Sequence, residues 1–246
     1  MKLFGTDGIR GKFNEPPINY EHLVKIGYAF ARSLFGDEVG HVYISHDGRE
    51  SASDIESALS IGILAQGSKV NYAGLFPTPA LSICMNMEGL SNELHAGIQI
   101  TASHNPYSDN GVKCFDQHGH KIDDALEKST ENNYNNQEED IISKDLRVSK
   151  VDCSDRFNKY YINYINEYFM LKMNDINPPV KKINILVDCA NGATSKIINK
   201  ILKDSFINII SIYNEPTGTN INSDCGATHT DALKRFIHDF NNINAN

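Results

Sequence analysis

The chain has 246 residues, of which 40% are hydrophobic and 22% are charged, and its formal net charge at pH 7 is −8. These proportions are ordinary for a globular protein with one large or two ordinary domains. The acidic balance and the lack of a long Lys/Arg cluster argue against nucleic acid and against an anionic membrane surface as partners. A few local donors can still hold a phosphorylated metabolite.

Strands and helices alternate along the first half of the chain. Apolar residues at helical spacing predict helices over 20–35 and 53–66, and the prolines at 77 and 79 introduce a third helix. Apolar runs predict strands over 41–45, 69–74, 96–100 and 112–115. This alternation is typical of a layered α/β domain with a mixed, mostly parallel sheet.

A second, incomplete α/β domain is predicted after a polar, acidic stretch over 131–145, which suits a solvated helix end or an interdomain connection. The predicted elements are an aromatic-rich helix over 155–169, a break at Pro178-Pro179, strands over 183–187 and 206–212, and helices over 193–202 and 230–240. A final helix in such a unit usually returns the chain to another strand. The predicted boundaries are therefore 1–140 for the first domain, 141–154 for a linker and 155–246 for the incomplete domain.

Five cysteines are scattered along the chain and none belongs to a C-x-x-C pair: Cys84, Cys114, Cys153, Cys189 and Cys225. This pattern favours reduced, buried thiols over a disulfide framework or a zinc site. The first residues contain no apolar signal-like segment, and no apolar run approaches membrane-spanning length. We therefore predict a cytoplasmic protein that does not bind membranes.

A serine stands directly after the predicted strand 96–100, in the segment Thr101-Ala102-Ser103-His104-Asn105-Pro106. Strand ends that open into loops are where α/β proteins carry their chemistry. A free hydroxyl is a weak nucleophile that needs a base, a metal or a pre-attached group. Taken alone, the segment fits a polar turn with Ser103 as a capping hydroxyl better than a reactive centre.

Four segments together resemble the α-D-phosphohexomutases, and most closely the branch that acts on glucosamine phosphates. Residues 4–11 resemble the family's N-terminal signature, and 101–106 resemble its phosphoserine loop, which continues through 109–113. Residues 188–194 and 216–222 resemble its second domain. The four segments follow the family order over nearly the whole chain, so together they are more specific than any one of them.

The resemblance implies that Ser103 carries a phosphoryl group and donates it to a phosphorylated hexose or hexosamine. The resulting bisphosphorylated sugar then turns over and returns its other phosphate to the serine. In the glucosamine branch this interconverts glucosamine 6-phosphate and glucosamine 1-phosphate, with a glucosamine 1,6-bisphosphate-type activator. Positioning and charge neutralisation dominate such phosphoryl transfer.

The resemblance also implies roles for neighbouring residues. Lys113 is expected to act as acid or base, and Arg10 to depress the pKa of that lysine and steady the phosphate. The alternative is that both are surface charges paired with Asp7 or Asp109. His104 is expected to position neighbouring groups, because adjacent residues on an extended loop point in different directions. Phosphate or substrate is expected to contact three polar residues of the same segment, Thr101, Asn105 and Asn110.

Two further pairs of residues are candidates for the site. Gly97 and Gly111 are candidates for close backbone approach to phosphate. Asp47 and Arg49 follow a predicted strand, where they either line the cleft or form a structural ion pair. Both accounts of the Asp–Arg pair fit the residues equally well.

A phosphoserine carries about −1.5 to −2 charges and needs a cation before a second phosphate approaches. The resemblance implies Mg²⁺, held by the phosphate on Ser103 and by three aspartates of a D-G-D-x-D-R loop. No such string occurs in the sequence, and the alignment places it beyond Asn246. We therefore expect an N-terminal fragment with negligible mutase activity by itself.

Alternatives to this interpretation come from three classes. One is a non-catalytic phosphosugar-binding or regulatory module of the same ancestry, and another is a phosphohexomutase acting on mannose or glucose phosphates. The third is a serine hydrolase that uses Ser103 and His104. The hydrolase is disfavoured, because the chain has no G-x-S-x-G elbow and an adjacent histidine has poor geometry.

Overall fold

A computed structural model describes residues 1–87, 90, 93–137, 150–173, 182–202 and 206–244. Its strands are β1 (Ile9–Lys12), β2 (His41–His46), β3 (Lys69–Leu75), β4 (His95–Ile100), β5 (Asp109–Phe115), β6 (Lys150–Asp152), β7 (Ile183–Asp188) and β8 (Ile207–Ile212). Its α-helices are α1 (Tyr20–Phe35), α2 (Ala52–Gln66), α3 (Thr78–Cys84), α4 (Asp124–Asn135), α5 (Ser154–Met173) and α6 (Asp231–Asn244).

The first sheet has six strands in the order β1-β5-β4-β2-β3-β6. Strand β2 pairs in parallel with β3 and β4, and β3 pairs in parallel with β6, whereas β5 runs antiparallel to both β1 and β4. The predicted mixed, mostly parallel sheet is thus confirmed. The strands predicted from sequence form its centre, and β1 and β6 add its two edges.

Helices cover both faces of this sheet. On one face α1, α2 and α4 bury an apolar cluster that includes Ile26, Phe30 and Leu59. On the other face α3 and α5 bury a second cluster, in which Phe157 of α5 stacks on Tyr43 with ring centroids 5.1 Å apart. The two clusters make the first unit a three-layered α/β structure that holds the carboxyl ends of its parallel strands rigidly.

The second unit has a two-stranded parallel sheet, with Ile183 opposite Ile207 and Asp188 opposite Ile212. The expected helix over 193–202 is wrong, because that segment forms two short 3-10 helices, Ala193–Lys196 and Ile198–Lys200. Threonine, serine, asparagine and β-branched isoleucine crowd the segment, and all of them disfavour an α-helix. The other predicted helices are confirmed, with α5 and α6 longer than expected.

The first turns of α5 pack on the first sheet, and β6 pairs with β3 just before them. Most of the expected linker, residues 141–149, and the break at Pro178-Pro179 lie outside the described residues. The domain boundaries therefore remain predictions.

The five thiols are free and buried, which confirms that they pack as small apolar groups. Burial is the main cause of raised pKa values at three of these thiols. The pKa of Cys84 rises to about 12, and those of Cys153 and Cys189 rise to about 11. Over the described ranges, none of the helices combines the length and the apolar character needed to cross a bilayer.

Candidate functional site around Ser103

Residues 101–109, here called the serine loop, connect the carboxyl end of β4 to β5. The Ser103 side chain is exposed, and its backbone has a φ of 57°, in the left-handed region that non-glycine residues rarely adopt. Such a conformation costs of order 1–3 kcal/mol and persists only when the surroundings hold it. Two backbone hydrogen bonds within the loop help to hold this conformation, from Asn105 N to Ala102 O (3.1 Å) and from Asp109 N to Pro106 O (3.1 Å).

A buried guanidinium underlies the serine loop. The Arg49 side chain is 0% exposed and donates to the backbone carbonyl oxygens of Ser103 (3.1 Å), Asn105 (3.0 Å), Asp109 (2.9 Å) and Pro106. Its Nε donates to Asp47 Oδ2 at 3.0 Å. Because a guanidinium has five N–H donors in a fixed fork, Arg49 sets the positions of these carbonyl groups relative to one another.

Asp47 links Arg49 to the backbone of Ser103, the candidate nucleophile. Its Oδ2 accepts a hydrogen bond from Thr101 Oγ1 at 2.6 Å, and Thr101 Oγ1 accepts one from the backbone N–H of Ser103 at 2.9 Å. Of the two accounts of Asp47 and Arg49, the ion pair is therefore present, and it also organises the loop. Thr101 is buried against Asp47, and its predicted contact with phosphate remains a prediction.

The second unit also contacts the serine loop, at two of the carbonyl groups that Arg49 binds. Asn222 Nδ2 donates to Ser103 O at 2.9 Å and to Asn105 O at 3.1 Å. Nearby, Glu50 N donates to Gly218 O at 2.9 Å. The sequence analysis noted Asn222 only as part of a matched segment, since sequence spacing alone does not indicate a contact across 119 positions.

Lys113 and Arg10 converge on one carboxylate. Lys113 Nζ lies 2.6 Å from Asp7 Oδ2, and Arg10 Nη2 lies 3.3 Å from the same oxygen. Partial burial raises the pKa of Asp7, but the hydrogen bond and charge of Lys113 and the charge of Arg10 outweigh it, so the pKa lies below its ordinary value. The pairing with Asp7, which the alternative account of these two residues predicted, is therefore present, and it brings the two cations together.

Two glycines allow the close backbone contacts that bring Asp7 and Arg10 to strand β5. A Cβ at Gly8, whose φ is 92°, would lie 2.5 Å from Val112 O, so only glycine lets the Asp7 turn reach β5. A Cβ at Gly111 would lie 2.7 Å from both Thr101 O and Arg10 Cδ, so Arg10 crosses β5 beside the start of the serine loop. Gly97 differs from expectation, because it faces Leu81 and Met85 of the core and not the loop.

The remaining predicted residues lie in or next to the serine loop. His104 is exposed, and within the described part of the chain no hydrogen bond joins it to Ser103, as a hydrolase dyad would require. Asn105 Nδ2 donates to Asp109 Oδ2 at 2.8 Å. Asn110 is fully buried, and neither atom of its amide has a hydrogen-bond partner. The ligand-binding roles of these residues remain predictions.

The chain is similar in sequence to a known protein family. The model of the phosphoglucomutase/phosphomannomutase family, alpha/beta/alpha domain I, matches residues 1–140. Phosphoglucosamine mutases from Idiomarina loihiensis and Pseudoalteromonas translucida are 37% and 38% identical to 96% and 98% of the chain. The chain spans about half the length of these relatives, 50% and 51%.

Solved structures show the same architecture. A Thermus thermophilus protein, solved as a candidate phosphomannomutase, matches 89% of the chain with a TM-score of 0.71 and 25% identity, over 47% of its own length. A phosphoglucomutase/phosphomannomutase family protein from Burkholderia thailandensis matches 89% of the chain with a TM-score of 0.64 and 22% identity, over 45% of its own length.

Proposed function

The chain belongs to the phosphoglucomutase/phosphomannomutase family, and we propose from this that it supplies the phosphoryl-carrying serine of a phosphoglucosamine mutase. The observation that carries the proposal is the exposed Ser103 hydroxyl, on a loop whose carbonyl groups a buried Arg49 holds in place. Phosphoryl transfer depends mainly on positioning and on charge compensation. Arg49 supports the positioning of Ser103, and Lys113 and Arg10, which both pair with Asp7, supply part of the charge compensation.

In the proposed half-reaction, the bond between phosphorus and Ser103 Oγ breaks as a new bond forms from phosphorus to a hydroxyl oxygen of the sugar monophosphate. The sugar hydroxyl releases its proton to solvent, and the departing Ser103 Oγ gains one from an acid that solvent then reprotonates. The return half-reaction moves the other phosphoryl group of the bisphosphorylated sugar back to Ser103 Oγ. The serine therefore ends each cycle as it began.

Lys113 is the proposed proton donor to the departing Ser103 Oγ. Its contact with the Asp7 carboxylate at 2.6 Å fixes the direction of the Lys113 ammonium. Arg10 keeps its proton, so its proposed role is to stabilise the negative charge of the phosphoryl group. Asp7 orients both side chains and limits their net charge.

Mg²⁺ is the ion that the family implies beside such a phosphoserine, where it would neutralise phosphate charge. The ion prefers octahedral oxygen ligands. Among the residues that the structure describes, no three His, Cys, Asp or Glu side chains are grouped so as to hold a metal ion, and the sequence contains no D-G-D-x-D-R string. The described residues thus fit Mg²⁺ only through a phosphate on Ser103.

The proposed substrates are glucosamine 6-phosphate and glucosamine 1-phosphate, with the 1,6-bisphosphate as phosphoryl donor. Support comes from the relatives at 37% and 38% identity, which are phosphoglucosamine mutases. We infer a cytoplasmic location, since five free, buried thiols suit a reducing compartment.

The test is transfer of one phosphoryl group to Ser103. The purified chain is incubated with glucosamine 1,6-bisphosphate, and intact-mass measurement with peptide mapping locates any phosphoryl group. We expect a single, slow transfer, without further turnover to sugar monophosphate, to the unaltered chain and to the matched variant Ser108→Ala, and none to Ser103→Ala. Binding of the bisphosphate without transfer, measured by calorimetry, would instead favour a non-catalytic phosphosugar-binding module. Faster transfer from glucose or mannose 1,6-bisphosphate would overturn the proposed substrate.

A further inference from the structure

Two carbonyl groups of the serine loop are each shared by both halves of the chain. The oxygens of Ser103 and Asn105 accept hydrogen bonds from Arg49 Nη2, at 3.1 and 3.0 Å, and from Asn222 Nδ2, at 2.9 and 3.1 Å. A carbonyl oxygen has two lone pairs, so both donors are accommodated at each group. Arg49 holds the pair from beneath the loop, and Asn222 bridges the same pair from the second unit.

Asn222 is itself held in place by the carboxyl end of β7. Its backbone has a φ of 58°, and its N–H donates to Ala190 O at 3.0 Å. The Asp188 carboxylate accepts from Ala190 N at 2.8 Å and from Gly226 N, also at 2.8 Å. The Asp188 carboxylate therefore ties the turn at Ala190 to the segment that carries Asn222.

A second contact aligns the same segment, residues 216–226, here called the docking loop. Glu50 N donates to Gly218 O at 2.9 Å, and Gly218 has a φ of 95°. A Cβ at Gly218 would lie 3.1 Å from Glu50 Cα, so glycine allows the two backbones to meet. The docking loop is thus anchored next to Arg49 as well as on the serine loop.

The serine loop depends on hydrogen bonds for its conformation, because most of its residues are exposed. Residues 103, 104, 106, 107 and 108 are exposed, and Ser103 occupies the left-handed region. An exposed segment with few apolar contacts opens locally at low free-energy cost unless hydrogen bonds hold it. The buried Arg49 binds four carbonyl groups of the loop, and Asn222 adds a second hydrogen bond to two of them.

Resting on the proposed function, we propose that Asn222 is a positioning residue for Ser103. Docking of the second unit thereby sets the geometry of the nucleophile in the first. When residues 216–226 are in place, the Ser103 carbonyl accepts hydrogen bonds from both Arg49 and Asn222, which restricts the directions open to the Ser103 side chain. Small displacements of a reacting group lower transfer rates strongly, so the position of the second unit controls how readily Ser103 exchanges phosphoryl groups.

The test compares the full chain with Asn222→Ala, which removes both donors, and Asn222→Asp, which presents a carboxylate to two carbonyl oxygens. Asn208→Ala is the matched control. Asn208 is exposed in the same unit, and its side chain donates to Asn184 at 2.8 Å and not to the serine loop. Hydrogen exchange is followed by mass spectrometry in peptides covering 101–109 and β4. We expect serine-loop amides to exchange about fivefold faster for each hydrogen bond lost, with β4 unchanged. Unchanged exchange of the serine loop in both Asn222 variants would overturn the proposal.

A second readout separates a positioning role from a general structural one. The carbonyl ¹³C resonances of Ser103 and Asn105 should shift in both Asn222 variants and not in Asn208→Ala, since only these two carbonyls lose a donor. If exchange and resonances respond but Ser103 of the unaltered chain never accepts a phosphoryl group from glucosamine 1,6-bisphosphate, the proposed function fails and the loop contact stands. If Ser103 is phosphorylated at the same rate in Asn222→Asp as in the unaltered chain, the positioning role is wrong and the proposed function stands.

Discussion

Arg49 donates a hydrogen bond from Nη2 to the carbonyl oxygen of Ser103 at 3.1 Å, so a fully buried cation and an exposed hydroxyl belong to one connected assembly. The same guanidinium pairs with Asp47, whose carboxylate also binds Thr101. The orientation of Ser103 therefore depends on a group that solvent and ligand do not reach.

Replacing Arg49 with alanine should destabilise the first unit by about 3–5 kcal/mol, because it leaves the buried Asp47 carboxylate without its partner. Urea unfolding followed by circular dichroism measures the change. Arg32→Ala is the matched control, since Arg32 pairs with Asp37 at the surface, and it should have a much smaller effect. Equal losses in the two variants would mean that Arg49 is not a structural anchor.

The Asp7 carboxyl should titrate below its ordinary pKa of 3.8, because Lys113 and Arg10 stabilise its charged form more than burial disfavours it. A folded-state pKa below the unfolded value contributes stability that is complete above pH 3.8 and is lost as the pH falls through the folded value. The stability difference between the unaltered chain and Asp7→Asn should therefore shrink on acidification below pH 3.8.

Carboxyl ¹³C titration by NMR checks the cause of this shift. In Lys113→Met the pKa of Asp7 should rise relative to the unaltered chain, because the hydrogen bond and the charge are both removed. Lys121→Met provides the control, as Lys121 pairs with Glu127 at 2.9 Å and donates to Thr6 O at 3.1 Å, so it removes a neighbouring cation that does not bind the Asp7 carboxylate. An Asp7 pKa that is the same in all three proteins would contradict the attributed interaction.

Gly8→Ala should be more destabilising than Gly67→Ala, although both glycines have positive φ values, 92° and 111°. A Cβ at Gly67 meets no atom within 4 Å, so only backbone strain of about 1 kcal/mol is added there. A Cβ at Gly8 lies 2.5 Å from Val112 O and must push the Asp7 turn away from β5. Thermal unfolding of both variants gives the comparison, and a smaller loss in Gly8→Ala would refute the close approach.

Lys113→Met should slow phosphoryl transfer from glucosamine 1,6-bisphosphate to Ser103 by about 10²–10⁴-fold, the usual size of general acid–base catalysis. Quenched time points analysed by intact mass give the rate. The control variant Lys121→Met should react like the unaltered chain. In this direction Ser103 Oγ is the attacking group and passes its proton to Lys113, so a Lys113→Met rate within a few-fold of normal would exclude Lys113 as the group that exchanges a proton with Ser103 Oγ.

The amino-acid sequence by itself determined most of the fold. Apolar periodicity is a local property, so helices α1 and α2 and the central strands of the first sheet could be read directly from it. It also placed Ser103 in a loop at the end of β4. The segment 193–202 misled because its apolar spacing suits a helix while its β-branched and hydroxyl side chains do not.

Only the tertiary structure decided what holds that serine. Asp47-Gly48-Arg49 reads as an ordinary turn after a strand, and no local pattern indicates that Arg49 binds carbonyl groups more than 50 positions away. The contact from Asn222 and the meeting of Lys113 and Arg10 on Asp7 likewise join distant segments. Such hydrogen bonds depend on how strands pair and units pack, and that arrangement is a property of the whole chain and of no short segment.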